Sequence, residues 1–257
     1  MATPPVLRVV EREIRVFARL WRSAVFSTFL APVLFLAAMG LGLGGLVKEH
    51  TGKVAGLSYL DFVAPGLLVA SAMQVAANES MWPVLGAVKW VKNYFATVAT
   101  SITPGELVVG YVIWITLRAV LGAVVFLLVA AVLGAVPSAW GVLAIPAAAL
   151  CAAAFCAPLT AYSIGVESDL VFPVIMRVGV LPLFLFSGTF FPISQLPGGL
   201  RPLAAISPLW HGVELARHAT TGSLHLGADV VHVLVLVACL GAGLLWGRHT
   251  FARRLTA

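Results

Sequence analysis

Only 10% of the 257 residues are charged, ten of them Asp or Glu and sixteen Lys or Arg. A soluble domain of this size needs a charged surface. Here 61% of the chain is hydrophobic, more than a single core could hide. A very apolar soluble α/β protein would need alternating strands and helices bounded by polar turns, and uncharged runs as long as Ser23–Val47 do not provide them. The chain therefore reads as an all-α integral membrane protein.

Other absences narrow the chemistry. No G-x-x-x-x-G-K-[ST] occurs, so the chain has no ordinary cradle for nucleotide phosphates. No H-E-x-x-H, G-x-S-x-G or paired-carboxylate pattern is present, which removes the usual metal, serine and acid–base hydrolases. Cys151, Cys156 and Cys239 are odd in number, lie in apolar runs and form no C-x-x-C, so they read as packing residues. Gly40-Leu41-Gly42-Leu43-Gly44-Gly45 satisfies G-x-G-x-x-G in letters, but it ends a membrane run rather than opening a βαβ unit. Its Gly40 and Gly44 suit close helix packing better. No cleavable signal is expected, because the first apolar run is too long and follows an Arg-rich stretch. No repeat or low-complexity linker divides residues 1–257, read as one transmembrane domain.

What is present is a sequence of apolar runs with basic flanks. Within Leu7–Arg22, Leu7, Val10, Ile14, Phe17 and Trp21 form one helical stripe, and Arg8, Arg12, Arg15, Arg19 and Arg22 form another. That pattern predicts an N-terminal amphipathic interfacial helix over 1–22, with its Arg heads among anionic lipids. Six transmembrane spans follow at 23–47, 62–85, 107–133, 140–165, 170–191 and 230–246. The third and fourth are separated because the uncharged run from Arg118 to Glu167 would be about 70 Å as one helix, more than twice a bilayer core. The turn falls at Gly134–Ser138. Ten Lys/Arg flank the spans on one side against Lys48, Lys53, Arg201 and Arg217 on the other, so both termini are expected in the cytoplasm. The net charge of +6 is then orientation information rather than a nucleic-acid footprint.

From the end of span five into the outer connection to span six runs Phe184–Arg217, too apolar and too patterned for a plain connection. Breaks at Pro192, Pro197 and Pro208 predict short re-entrant outer helices, the second with Leu209, Trp210, Val213 and Ala216 on an apolar side and His211, Glu214, Arg217 and His218 on a polar side. Ser187-Gly188-Thr189-Phe190-Phe191-Pro192, Leu196-Pro197, and Pro208-Leu209 with His211, Val213-Glu214 and Arg217 resemble the type-2 ABC exporter permeases, in particular those of nodulation-factor export and daunorubicin resistance. Looser likeness runs through Tyr59–Gly66 and Ile102–Gly110.

The resemblance implies a transport subunit rather than an enzyme, moving an amphiphile outward: a drug, lipid or lipid-linked glycan. It implies two copies of an ATPase partner that carries ATP and Mg, with no cofactor on this chain, and a second permease copy or paralogue, all in the cell membrane. It places an outer gate at Phe190, Phe191, Pro192, Pro208, His211, Glu214 and Arg217. It also makes Gly86–Glu106 an ATPase-coupling loop ending at Thr103-Pro104, where Lys89, Trp90, Lys92 and Tyr94 supply apolar anchors beside charge. A solvated loop obeying the positive-inside rule is the plainer reading of those lysines. The alternative classes are a secondary transporter, which should show inverted repeats and several membrane acids, and an intramembrane lipid-modifying enzyme, which should show clustered acid, His or Ser residues.

Three charges fall inside spans, Glu79, Arg118 and Arg177, and a charge there is costly unless it meets a partner or water. A Glu79–Arg118 ion pair suits a region with a single acid better than a proton relay does. His211, His218, His225 and His232 recur every seven residues, but only the first two can share a helix before Gly222, which makes a poor metal site.

Overall fold

The computed structural model describes residues 4–38, 54 and 56–256, and between 20 and 37 the side chains of Leu34 and Leu36 alone. Nine helices follow one another among these residues: α1 Pro5–Ala37, α2 Tyr59–Lys89, α3 Asn93–Val98, α4 Pro104–Val132, α5 Ala144–Ser163, α6 Asp169–Phe186, α7 Arg201–Ile206, α8 Pro208–Thr221 and α9 Leu226–Leu255. Within the described residues there are no strands, and β pairing is limited to an isolated Val54–Leu57 bridge. α2, α4, α5 with its preceding 3-10 turn, α6 and α9 are each long and apolar enough to cross a membrane.

Several boundaries differ from the sequence reading. α1 runs through Arg22 without a break, so the amphipathic stretch and the start of the first span are one helix. No Gly or Pro stands between Pro5 and Pro32 to divide them. Its buried side is Val9 and Val10 with Phe17 partly covered, while Leu7 and Ile14 of the expected apolar stripe face outward. The end of the first span, Gly40–Gly45 and Lys48 lie outside the described residues. α6 stops at Phe186 rather than 191 and contains a π segment, Ile175–Val180, between Pro173 and Pro182. Each proline removes a backbone donor that an α ladder would use. The basic tail after span six is helical, since α9 carries Arg248, Arg253 and Arg254 before ending at Leu255.

α5 is the hub, packed against α2, α4, α8 and α9. Its sequence, AIPAAALCAAAFCAPLTAYS, explains this, since Ala and Cys side chains let neighbouring backbones approach closely where lipid offers no competing hydrophobic drive. At Gly243 of α9, an added Cβ would stand 2.6 Å from the Pro158 nitrogen and ring. Burial falls away from this hub: 72% of the most apolar stretch of α2 is buried, against 22% for α9 and 11% for α6.

The chain ends of these helices sort into two groups. At one end, Lys89 Nζ donates to the Glu167 carbonyl at 2.6 Å and Arg254 pairs with the Glu167 carboxylate at 2.8 Å. At the other, the Ser138 amide donates to the Thr220 carbonyl at 3.1 Å, tying the Gly134–Ser138 turn to the end of α8.

The Gly243 contact generates a paired expectation. Gly243→Ala should lower the thermal midpoint by the equivalent of about 1–3 kcal/mol, because backbone atoms of α5 cannot yield. Gly241→Ala meets nothing within 4 Å and should be neutral or slightly stabilising. Thermal melting of the two detergent-solubilised variants checks this, and equal midpoints would refute it.

Candidate functional site

The first polar centre forms where α8 meets the start of α2 and the turn after α6. Ser207 caps α8 with its hydroxyl on the Leu209 amide and Pro208 occupies the first turn, so the breaks seen in the sequence fix where the helix begins. Gly212 lets α8 lie directly on α5 and α2, since a Cβ there would fall 2.8 Å from Cys151 Cβ and 2.9 Å from Val69. Both sides of α8 are consequently covered, the polar side as well as the apolar one. Arg217 is 7% exposed. Its guanidinium donates to Glu214 Oε1 and to the Gly188 carbonyl, each at 2.6 Å, and to the Phe62 carbonyl at 3.4 Å, and lies 4.0 Å over the Phe62 ring. A buried cation is tolerable only with such a full set of acceptors.

Gly188 takes φ 79°, a conformation glycine allows, and the turn it makes aims its carbonyl at Arg217. Around it, Phe190 packs edge-on to Phe184 and Phe191 to Phe186, with ring centroids 5.3 and 6.4 Å apart, and Pro192 opens a short 3-10 turn. The Ser187 and Ser207 hydroxyls meet at 3.0 Å. All seven expected outer-loop residues therefore fall on this turn or on α8.

The histidines behave otherwise than their spacing suggested. α8 ends at Gly222, φ 74°, and the chain reverses into α9, bringing His211 Nδ1 to 2.6 Å from His232 Nδ1 and His218 Nδ1 to 2.6 Å from Asp229 Oδ1. His218 also lies 5.3 Å from the His225 ring, and its Nε2 is 3.7 Å from Glu214. Spacing alone had limited contact to residues on one helix; equal spacing on either side of a reversal pairs first with last and second with third. Burial pushes the His211 imidazole below its ordinary value, and His232 adds to the effect. Among the described residues, no three His, Cys, Asp or Glu side chains are placed to hold a metal ion.

The second centre lies in the bundle toward the other end. Arg118 of α4 is paired with Glu79 of α2, and Tyr111 donates to the Glu79 carbonyl at 3.0 Å. Arg118 also lies 5.1 Å over the Phe17 ring of α1, so this cluster joins three helices. Arg177 stands apart, exposed on the π segment with no hydrogen bond or ion pair among the described residues.

Beyond that cluster is the α2–α3 tip. Trp90 and Val91 are 60% and 69% exposed, and Phe95 is also exposed. Lys92 takes φ 56°, an uncommon backbone for a side-chain-bearing residue, which forces the sharp reversal between the helices. Tyr94, expected on the docking surface, is instead 1% exposed and packs on Tyr111 and Phe251. It occupies the buried face of α3, one residue from Phe95 on the outer face. Lys89 is tied to Glu167. Thr103 and Pro104 start α4, where Thr103 and Glu106 form a reciprocal capping box.

This architecture, an apolar helical bundle with two polar centres among the described residues, is that of a multi-pass membrane protein. Residues 6–220 match the ABC-2 type transporter family, and the chain belongs to that family. It is 30% identical to nodulation protein J of Rhizobium leguminosarum bv. viciae over 225 residues, 84% of this chain and 85% of that protein. It is equally similar to nodulation protein J of Sinorhizobium fredii over 241 residues, 89% of each chain. An inner membrane transport permease of Escherichia coli, YadH, is 27% identical over 39% of this chain.

Two outcomes follow. Glu79→Gln or Arg118→Met should each lower stability by about 1–3 kcal/mol, and the double variant should recover part of the loss. Strictly additive melting shifts would rule out coupling. Arg217→Lys should cost about 2 kcal/mol, since a lysine cannot span two carbonyls and a carboxylate. A wild-type midpoint in that variant would show that the fork geometry is dispensable.

Proposed function

We propose that the chain is the membrane-spanning half of an ATP-driven exporter that moves an amphiphile, a drug, lipid or lipid-linked glycan, out of the cell. The observation that carries this is the α2–α3 tip, where Trp90, Val91 and Phe95 project beside Lys92 at the end of the bundle that also holds Lys89, Glu167 and Arg254. The basic residues at that end support a cytoplasmic placement for it. Exposed aromatics with adjacent charge suit a compact protein contact, here with an ATPase subunit that carries ATP and Mg. The chain's own sequence has no phosphate-binding loop to replace one. Family membership and the similarity to transport permeases support the same reading.

A second permease copy or paralogue completes the route. α6 favours it: Leu170, Val174 and Val178 are exposed along a nearly unburied helix, and Arg177 among them is a membrane charge lacking a partner in the described chain. Such a charge faces a cavity or another subunit more readily than lipid. In this arrangement the Phe190–Pro192 turn, Pro208, His211, Glu214 and Arg217 close the outer end.

Trp90→Ala combined with Phe95→Ala should leave membrane insertion intact and reduce co-purification of the ATPase at least tenfold, with loss of substrate-stimulated hydrolysis. Tyr94→Ala should act differently, by destabilising the permease. Normal assembly and transport in the Trp90/Phe95 variant would move the coupling site elsewhere.

A further inference from the structure

Two contacts clasp α8 to α9, and they respond to protons in opposite ways. The His211–His232 contact joins two Nδ1 atoms at 2.6 Å, so one imidazole must donate and the other accept. A proton added at the Nε2 side of the donor leaves that arrangement intact. A second proton turns both Nδ1 atoms into donors and abolishes it. The His218–Asp229 contact, seven residues along α8, gains strength when His218 is charged, because it already faces a carboxylate at 2.6 Å and Glu214 at 3.7 Å.

We propose that these contacts form a proton-operated hinge, in which acid on the outer face releases the Pro208 end of α8 from α9 while the Thr221 end stays fastened. The idea rests on the outer-gate reading only for its consequence in transport, not for the motion itself.

The surroundings support a local motion. His211 and His232 are 6% and 7% exposed, and Trp210 packs edge-on against both at 4.9 and 5.0 Å, so two cations there would have little water. The groups facing the pair are few. α8 brings Glu214, His218 and Arg217, of which Arg217 is already committed to Glu214, Gly188 and Phe62. α9 brings Asp229, held by His218 and by the His225 amide at 2.9 Å. α7 contributes the Ala205 carbonyl, which accepts from the His211 ring, and α5 contributes Cys151 and no charge. The outer end of α2 carries Asp61, half-buried beside its Ser58 cap. None of these is a free carboxylate positioned on His211. Burial and His232 together hold the His211 imidazole below its ordinary range and uncharged at neutral pH, so the contact is present there, survives the first proton on the pair, and is lost once acid has charged both rings.

The far end of α8 has independent anchors, in the Thr220 carbonyl bonded to Ser138 and the Gly222 reversal. The near end touches the Phe184–Pro192 turn through Ser207–Ser187 and through Trp210 on Gly188. Release at His211 would therefore loosen that turn first.

Hydrogen exchange read by mass spectrometry tests the hinge in the intact transporter, permease with ATPase, reconstituted in lipid. Rates at about pH 7.5 and about pH 5, corrected for intrinsic chemistry, should show protection of the Leu209–Glu214 amides falling at least tenfold in acid. The Ala216–Thr221 amides should be unchanged. His211→Gln and His232→Gln, either of which keeps a hydrogen-bonding group that cannot be charged, should each abolish the acid response; His218→Gln should retain it. Should either Gln variant prove unstable, the other and the wild-type pH profile still decide. Wild-type protection that does not change with pH overturns the hinge, as does a response that survives in His211→Gln or disappears in His218→Gln. Acid loosening with a pH-independent transport rate would leave the hinge standing and remove the gate role instead.

Discussion

The guanidinium of Arg217 is the interaction on which the outer half of the structure depends. It lies where three segments converge without regular pairing: the first turn of α2, the Gly188 turn and α8. Water would ordinarily satisfy the Gly188 carbonyl, which lies outside any helix, but the bundle excludes it, and an unsatisfied carbonyl in an apolar setting costs several kcal/mol. One planar cation with five donors resolves two carbonyls and a carboxylate together, and its flat face covers Phe62. The Gly188 conformation and the close seat of Gly212 are what bring the acceptors within its reach.

The same logic governs the other half. Glu79 and Arg118 are each about a fifth to a quarter exposed at the side chain, and their pairing fixes the rotation of α2 relative to α4, with Phe17 of α1 closing the third side. Ion pairs of this kind specify geometry more than they stabilise, since desolvation offsets much of the attraction. That suits a bundle whose central helix, α5, is rich in Ala and offers few shaped side chains to set register.

Much of this was legible in the sequence, for reasons that differ by residue. Apolar length and prolines located the five long apolar helices of the described residues and the start of α8, because those signals are local. The Glu79–Arg118 contact followed from elimination, as there were few charges to pair. Tyr94 was misread since α3 is a single short helix, and six residues carry too little periodicity to tell its buried face from its exposed one. The histidine contacts were hidden by a rule applied too narrowly: Gly222 was seen as a break, whereas a break that reverses the chain is what brings residues at equal distances into register. The outward-facing Leu7 and Ile14 show why the rest was not legible: in a membrane protein an apolar face can point to lipid as readily as to the core, so amphipathicity alone does not say which side is buried.

The two polar centres are not separate devices, because α2 enters both. Phe62 and Glu79 are seventeen residues apart on one helix, about 26 Å of rise, nearly the thickness of a bilayer core. α2 is buried along most of that length, with Pro65 and Pro83 toward its two ends and no break between them. A helix gripped near both ends by an arginine, Arg217 at Phe62 and Arg118 at Glu79, and packed between them cannot flex locally without opening voids in a close-packed interior. Displacement of its Trp90 end therefore has to move the helix as a body or strain one of the two arginine junctions. On the reading of Trp90 as part of the ATPase contact, energy entering at that tip reaches the outer turn by rigid shift of α2, with no chain of titratable side chains needed between.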